Sequence, residues 1–311
     1  MEKEELIEGI ARLRKEKDAL ILAHYYQTGD IQDIADYVGD SLALARKAAQ
    51  TDARIIVMCG VHFMGETAKI LCYDRKVLVP DMNAGCSLAD SCPTDSFKTF
   101  VEAHPGYKVL SYVNTTAAVK ALTDVVVTSG NAIQIVESFP KEEKIIFGPD
   151  KNLGNYINAV TGRSMLLWDG ACHVHAQFSI EGIVNLKKQY PQALVLVHPE
   201  CKAPVIALAD IVGSTAKLIK EAEKSEAKEF IVATEWGILH ELTKRCPNKT
   251  FIPAPPDDNQ TCGCSECNFM KLNTIEKVYN CLLNETPEIQ VDKEIAEKAI
   301  VPIRRMLEIS K

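Results

Sequence analysis

One unit of sequence occurs three times along these 311 residues. Three apolar runs, ALILAHYY, KVLSYVN and LVLVHPE, end at matching polar positions, and an aspartate follows each position by twelve residues. A hydroxyl residue stands five residues beyond each aspartate. The matching positions are His24, Tyr112 and His198, then Asp36, Asp124 and Asp210, then Ser41, Ser129 and Thr215. This period of 86 to 88 residues predicts three copies of one structural unit.

Each copy alternates strand-like and helix-like segments. In the first copy, a helical pattern LALARKAAQ is followed by the β-rich ARIIVMC, the helical FMGETAKIL and the short strand KVLVP. Continuous apolar strands are typical of parallel sheets that are covered on both faces. We therefore expect an α/β protein with three homologous three-layer (αβα) sandwich domains, each with a roughly four-stranded parallel sheet. The domains are expected around a pseudo-threefold axis, with the active site at the centre.

A cysteine follows the last strand of each copy and suggests the domain boundaries. The three α/β repeats are predicted at residues 1–86, 87–172 and 173–267, ending at Cys86, at Cys172 and in the group CGCSEC. Residues 268–311, with helices near 269–283 and 292–309, are expected to form a helical extension that packs on the repeats.

These cysteines indicate a metal site. Iron–sulfur clusters usually take four cysteine ligands. One thiolate from each repeat gives only three, which suits a [4Fe–4S] cluster whose fourth iron is open. An open metal position is what a Lewis-acid catalyst needs. Structural zinc is the main alternative, although it does not explain one cysteine per repeat. Spacing does not decide which of Cys262, Cys264 and Cys267 is the ligand. Cys262 and Cys264 could be spare ligands, a redox pair, or neither.

The other cysteines are interpreted as small buried apolar residues. They are Cys59, Cys72, Cys92, Cys201, Cys246 and Cys281.

Polar residues at the strand ends supply candidate chemistry. The carboxyl ends of parallel strands meet at one edge of a sheet, so these residues are expected to share one cleft. Candidates for acid/base chemistry and carboxylate recognition are His24, Tyr26, Tyr112, Asn114, His198 and Glu200, with one of His173 and His175. The hydroxyls Ser41, Ser129 and Thr215 are interpreted as helix N-caps that also frame an anion site. The repeated aspartates fit a structural turn better than chemistry.

Charge and hydropathy exclude some partners. A net charge of −7 without a long basic run argues against nucleic acid or an anionic membrane as the main partner. The charged N-terminal helix pattern and the lack of an 18-residue apolar stretch predict a cytoplasmic protein.

The ordered motifs of the chain carry a family resemblance. They are AHYYQ, QDIADYVGDSLALAR, FMGETAKIL, YVNTTAAVKALTDVVVTSGNA, IFGPDKNLG, HVH and HPEC, with a late cysteine before FMKLNTIEKVY. Over nearly its full length the chain resembles the quinolinate synthase (NadA) family. The resemblance implies a transferase that condenses iminoaspartate with dihydroxyacetone phosphate, giving quinolinate, phosphate and water in de novo NAD biosynthesis. It also implies one [4Fe–4S] cluster per chain, which acts as a Lewis acid in dehydration, and functional coupling to L-aspartate oxidase or aspartate dehydrogenase.

The resemblance assigns roles position by position. The cluster ligands match Cys86, Cys172 and Cys267. The catalytic positions match Tyr26, His175, His198 and Glu200. The substrate-binding positions match His24, Ser41, Tyr112, Asn114, Ser129, His198, Glu200 and Thr215. The chain departs from the family at Tyr25, where AHNYQ is usual, and in its CGC arrangement, which leaves a thiol switch by Cys262 and Cys264 open.

Two other functions fit the sequence less well. A diphthamide-type radical enzyme also resembles a three-domain, three-cysteine arrangement, but it uses S-adenosylmethionine, and HYYQ, YVN and HPE disfavour it. An iron–sulfur sensor or electron carrier would not need a cleft rich in acid/base groups.

Overall fold

Three parallel sheets form the framework of the protein. The computed structural model describes residues 2–257 and 265–310. Within them lie three four-stranded sheets in which every strand pairing is parallel. In each sheet the second strand lies at one edge, followed by the first, third and fourth strands. The predicted class, α/β with three flanked four-stranded parallel sheets, is confirmed, while the pseudo-threefold axis stays a prediction.

The elements follow the predicted alternation, with narrower bounds. The first sheet and its helices comprise α1 (Lys3–Glu16), β1 (Ala19–His24), α2 (Gly29–Ile34), β2 (Tyr37–Gly39), α3 (Ser41–Gln50), β3 (Ile55–Cys59), α4 (His62–Leu71) and β4 (Lys76–Leu78). The second comprises α5 (Ser87–Asp90), α6 (Thr94–Glu102), β5 (Lys108–Tyr112), α7 (Ala117–Lys120), β6 (Val125–Val127), α8 (Ala132–Glu137), β7 (Ile145–Gly148), α9 (Lys151–Thr161) and β8 (Leu166–Leu167).

The third unit and the C-terminal segment complete the chain. The third sheet and its helices comprise α10 (Ile180–Gln189), β9 (Leu194–Val197), α11 (Ala203–Ile206), β10 (Ile211–Val212), α12 (Thr215–Lys224), β11 (Glu229–Ala233), α13 (Ile238–Arg245) and β12 (Thr250–Pro253). The C-terminal helices are α14 (Ile275–Asn284) and α15 (Lys293–Ile309). Short 3-10 turns lie at His175–Gln177 and Met270–Leu272. Domain boundaries at the cysteines stay a prediction.

Each sheet divides its two faces between two cores. Successive side chains of a strand point to opposite faces, so Leu22 of β1 joins a core shared by all three sheets, whereas Ile21 joins a core formed with α1 and α14. Likewise Leu196 of β9 lies in the shared core and Val195 in a separate core with α10. Apolar burial on both faces explains the continuous apolar runs. The shared core fixes the three sheets relative to one another.

The C-terminal segment packs on the first two units. α14 lies against α1 and buries Val278 and Leu282, and α15 lies against β6 and α7 and buries Ile303 and Met306. The two helices expected near 269–283 and 292–309 are therefore present, each with one buried face. In the part of the chain that the structure describes, no helix is both long and apolar enough to cross a membrane.

The three repeated aspartates close the same turn. The carboxylates of Asp36, Asp124 and Asp210 each accept the backbone N–H of a residue fifteen positions earlier, at 2.8 Å in every case. Each aspartate also donates its own N–H to the carbonyl of that residue. The interpretation of these residues as structural is confirmed. Each aspartate directly precedes the edge strand of its sheet and so lies at the amino end of that strand.

Loss of this turn contact should weaken the fold without touching the chemistry. Asp210→Ala leaves the N–H of Val195 without its acceptor and is expected to lower the free energy of unfolding by about 1–2 kcal/mol. Asp210→Asn keeps an acceptor oxygen and is the matched control. Urea denaturation measures both variants, and equal losses for alanine and asparagine would contradict this role.

Candidate active site

One cavity lies at the carboxyl ends of strands from all three sheets. Every site residue predicted from the sequence lines it: His24, Tyr26, Ser41, Cys86, Tyr112, Asn114, Ser129, Cys172, His175, His198, Glu200, Thr215 and Cys267. His173, the alternative to His175, also lines the wall. The structure therefore brings the complete predicted set together, although the individual roles stay predictions.

The helix caps at this cavity differ from the prediction. Asp40 caps α3 by accepting the N–H of Ala43, and Ser214 caps α12 by accepting the N–H of Lys217. Ser41 and Thr215 are instead the first helical residues. The N-cap prediction is thus wrong by one position for these two hydroxyls. Because the preceding residue does the capping, neither hydroxyl is used as a cap, and that of Thr215 lies 2.9 Å from the Tyr26 hydroxyl.

The third hydroxyl, Ser129, is not a cap either. It precedes α8 by three residues, and the preceding turn is closed by Asn131, whose side-chain oxygen accepts the N–H of Thr128 at 2.6 Å. The Ser129 hydroxyl is 3.2 Å from Nε2 of His198. This contact links the second sheet to the third across the cavity.

A chain of polar contacts crosses the cavity wall from Tyr26 to Tyr112. The Tyr26 hydroxyl lies 2.7 Å from Oγ1 of Thr234, which lies 2.9 Å from Nε2 of His175. Nδ1 of His175 is 3.3 Å from Oε2 of Glu200. The other carboxylate oxygen, Oε1, accepts the hydroxyl of Tyr112 at 2.6 Å. Protons can therefore be passed between groups that belong to all three sheets.

Burial controls the protonation of the aromatic groups. It lowers the pKa of His24 and His198 to about 3, so both imidazoles are neutral near pH 7. It raises the pKa of the Tyr26 and Tyr112 phenols well above their usual value. The two tyrosines are therefore protonated hydrogen-bond donors.

Glu200 is an ionised carboxylate in the cavity wall. Its burial alone would raise its pKa, but the interactions with His175, His198 and the Tyr112 hydroxyl hold that pKa below its usual range. The neighbouring carboxyl of Asp150 behaves in the opposite way, because burial and the charge of Glu200 raise its pKa. Glu200 therefore gives the cavity a carboxylate that can accept a proton.

The three cysteines of the cavity differ from the rest. Cys86, Cys172 and Cys267 are only partly buried, whereas the other six cysteines in the described ranges are buried, as predicted. Burial raises the pKa of all three thiols, to about 12 for Cys86 and about 11 for Cys267. Cys262 and Cys264 lie outside the described residues.

Two buried carboxylates that the sequence analysis missed hold the cysteine loops. Asp150 and Glu235 stand at equivalent positions, two residues beyond β7 and β11. Asp150 accepts the N–H of Cys172, and Glu235 accepts the N–H of Cys267, both at 3.1 Å. The motifs GPD and ATE at the ends of these strands were the available signal, since polar residues there face the same edge as those after the first strands.

Lys271 and Thr234 were also missed. Lys271 forms an ion pair with Glu235 at 2.8 Å and donates to the backbone carbonyl of Tyr26 at 2.5 Å. It thereby ties the Cys267 loop to the Tyr26 loop. Thr234 joins Tyr26 to His175, as described above. A threonine that ends an apolar strand gives little signal by itself.

Thr234→Val tests the hydrogen-bond chain. Valine keeps the shape of threonine but removes the hydroxyl between Tyr26 and His175, so kcat is expected to fall about 10- to 100-fold. Thr234→Ser keeps the hydroxyl and should retain most of the activity. Steady-state kinetics over a range of pH gives the comparison, and a valine variant as active as the serine variant would contradict a role in proton transfer.

The fold and site define a class of proteins: a triplicated α/β chain whose three sheets surround one cavity lined by cysteine and acid/base groups. The family model described as NadA, quinolinate synthetase A protein, matches residues 8–308. The chain belongs to the quinolinate synthase family.

Curated relatives agree over nearly the whole chain. The quinolinate synthase of Chloroherpeton thalassium is 54% identical over 307 residues, covering 99% of this chain and 95% of the relative. The quinolinate synthase of a Nostoc species is 55% identical over 306 residues, covering 98% and 94%. That of Thermosynechococcus vestitus is 52% identical over 306 residues, covering 98% and 96%. The family resemblance stated from the sequence motifs is confirmed.

Proposed function

We propose that this protein is a quinolinate synthase of the transferase class, which condenses iminoaspartate with dihydroxyacetone phosphate to quinolinate, phosphate and water in NAD biosynthesis. The observation that carries the proposal is the convergence of all thirteen predicted site residues on one cavity, in a chain 52–55% identical to named quinolinate synthases. Functional coupling to L-aspartate oxidase or aspartate dehydrogenase belongs to the same proposal, because either enzyme can supply iminoaspartate.

Anionic substrates would be bound here without cationic side chains. Among the described residues that line the cavity there is no lysine or arginine. The N-termini of α3 and α12 begin at Ser41 and Thr215 in the cavity wall, and their helix dipoles favour carboxylate and phosphate oxygens. Oδ1 of Asn114 is buried without a hydrogen-bond partner, which leaves it available to a substrate N–H or O–H group.

Proton movement would centre on Glu200. As the ionised carboxylate it is the base that can remove a proton from a bound substrate, and its contact with His175 connects it to Tyr26. Tyr26 and Tyr112 keep their protons. Tyr112 donates its hydroxyl proton to Glu200, and the Tyr26 hydroxyl can donate a hydrogen bond to developing negative charge. Neutral His24 and His198 orient the substrate from the first and third sheets.

The cavity has the donor set for an iron–sulfur cluster. Cys86, Cys172 and Cys267 each come from a different sheet unit and line the same wall, and the amides of two of them are anchored by buried carboxylates. Metal binding removes the thiol protons that burial would otherwise retain. When bound to three cysteines, a [4Fe–4S] cluster supplies a Lewis-acidic iron that polarises a substrate oxygen.

Anaerobic reconstitution tests the proposal. The purified protein is analysed for iron and sulfide and is supplied with dihydroxyacetone phosphate and freshly generated iminoaspartate. Quinolinate formation that depends on the bound iron is expected. A fully loaded protein that forms no quinolinate would overturn the assignment, and cleavage of S-adenosylmethionine by the reduced protein would favour a radical enzyme.

A further inference from the structure

A second donor set lies within the cavity. Sγ of Cys172, Nδ1 of His175 and a carboxylate oxygen of Glu200 all lie within 4.8 Å of one another. Nδ1 is 3.3 Å from Sγ and 3.3 Å from Oε2. Ligand atoms of a tetrahedral zinc ion, with bonds of about 2.0–2.3 Å, lie about 3.3–3.7 Å apart. The spacing around His175 therefore matches a single metal ion.

Each of the three donors is oriented by an outer partner. Nε2 of His175 is held by Thr234 at 2.9 Å, which leaves Nδ1 for a metal if Nε2 carries the proton. Oε1 of Glu200 is held by the Tyr112 hydroxyl at 2.6 Å. The amide of Cys172 is held by Asp150. Outer contacts of this kind fix ligand geometry in metal sites.

We propose that the protein without its cluster binds one divalent transition-metal ion, such as Zn²⁺, through Cys172, His175 and Glu200. One thiolate and one carboxylate neutralise the two charges of the ion, so the buried site has no net charge. Binding releases the thiol proton of Cys172. Thiolate and imidazole ligands favour Zn²⁺ or Co²⁺ over Mg²⁺ or Ca²⁺, and the open cavity leaves a fourth position for water.

This site has a consequence that rests on the proposed function. Cys172 belongs both to the cluster ligands and to the single-ion site, so the two occupants exclude each other. A bound zinc ion is therefore expected to block insertion of the cluster and keep the protein inactive. Removal of zinc by a chelator should restore cluster loading.

Anaerobic titration of cluster-free protein with Co²⁺ tests the site. One equivalent is expected to give the intense visible absorption of a tetrahedral ion and a single-thiolate charge-transfer band, and Zn²⁺ should abolish both. Cys172→Ala, His175→Gln and Glu200→Gln should each weaken Co²⁺ binding more than about 100-fold, and Thr234→Val about 10-fold. Thermal unfolding of each variant shows whether it is folded.

The double variant Cys86→Ala/Cys267→Ala is the decisive control. It cannot bind metal through Cys86, Cys172 and Cys267 together, yet it should retain the one-thiolate cobalt spectrum. Loss of binding in this folded double variant would overturn the proposal, as would full binding in Cys172→Ala or no stoichiometric binding by the unchanged protein. These results do not depend on quinolinate formation, so failure of the metal site and failure of the proposed function are distinguishable.

Discussion

Glu200→Gln is expected to lower kcat about 10²- to 10⁴-fold while the protein still takes up its full content of iron and sulfide. Glutamine has nearly the same volume as glutamate, and its amide oxygen can still accept the hydroxyl of Tyr112. What it loses is the negative charge and the ability to take a proton. The substitution therefore tests the chemical step while the shape of the cavity is kept.

The matched control is another buried glutamate. Glu241 is buried and forms an ion pair with Arg245 at 2.7 Å, but it does not line the cavity. Glu241→Gln should keep its activity, with at most a small loss of stability. Iron and sulfide analysis, absorption spectra and steady-state kinetics are measured on both variants. A Glu200→Gln enzyme with unchanged kcat would remove Glu200 from the proton chemistry.

The repeat made most of the fold and site predictable. Equivalent strands in a parallel sheet end at the same edge, so residues such as His24, Tyr112 and His198 were expected together once the three copies were aligned. The aligned cysteines extended the same reasoning to the proposed metal ligands. These inferences needed only the repeat period and the pattern of polar and apolar residues. Both can be read directly from the sequence.

The roles of the residues missed in the sequence depend on contacts between units. Thr234 and Lys271 become significant only because the shared core places the third sheet beside the Tyr26 loop, and such packing cannot be read from one unit. The error in the helix caps has a local cause. In DYVGDS and DIVGST two capping residues stand side by side, so a shift of one residue exchanges the cap with the cavity-facing hydroxyl.

The equivalent positions also show how the copies specialised. Asp150 and Glu235 hold the cysteine loops of the second and third units, whereas Val61 occupies the corresponding place in the first. Val61 also lines the cavity. The first cysteine loop therefore lacks the carboxylate anchor, which makes the three cysteines similar in position but different in electrostatic environment.

Removal of any one cavity cysteine is expected to abolish cluster binding. Cys86→Ala, Cys172→Ala and Cys267→Ala should each reduce bound iron and sulfide to near zero after anaerobic reconstitution and eliminate quinolinate formation. Each contributes one of only three proposed protein ligands, and iron–sulfur clusters require thiolate ligation. The thiol deleted is partly buried in each case, so alanine leaves a small gap and not a disrupted core.

Substitution of cysteines outside the cavity distinguishes loss of cluster ligation from loss of folding stability. Cys92→Ala and Cys281→Ala remove thiols that are more deeply buried, so they should destabilise the fold at least as much, yet keep full iron and sulfide. Cys264→Ala decides the choice that spacing left open within CGCSEC: it should keep the cluster if Cys267 is the third ligand. If Cys267→Ala keeps the cluster and Cys264→Ala loses it, the third ligand is Cys264. If all three cavity variants keep the cluster, a three-cysteine cluster is refuted.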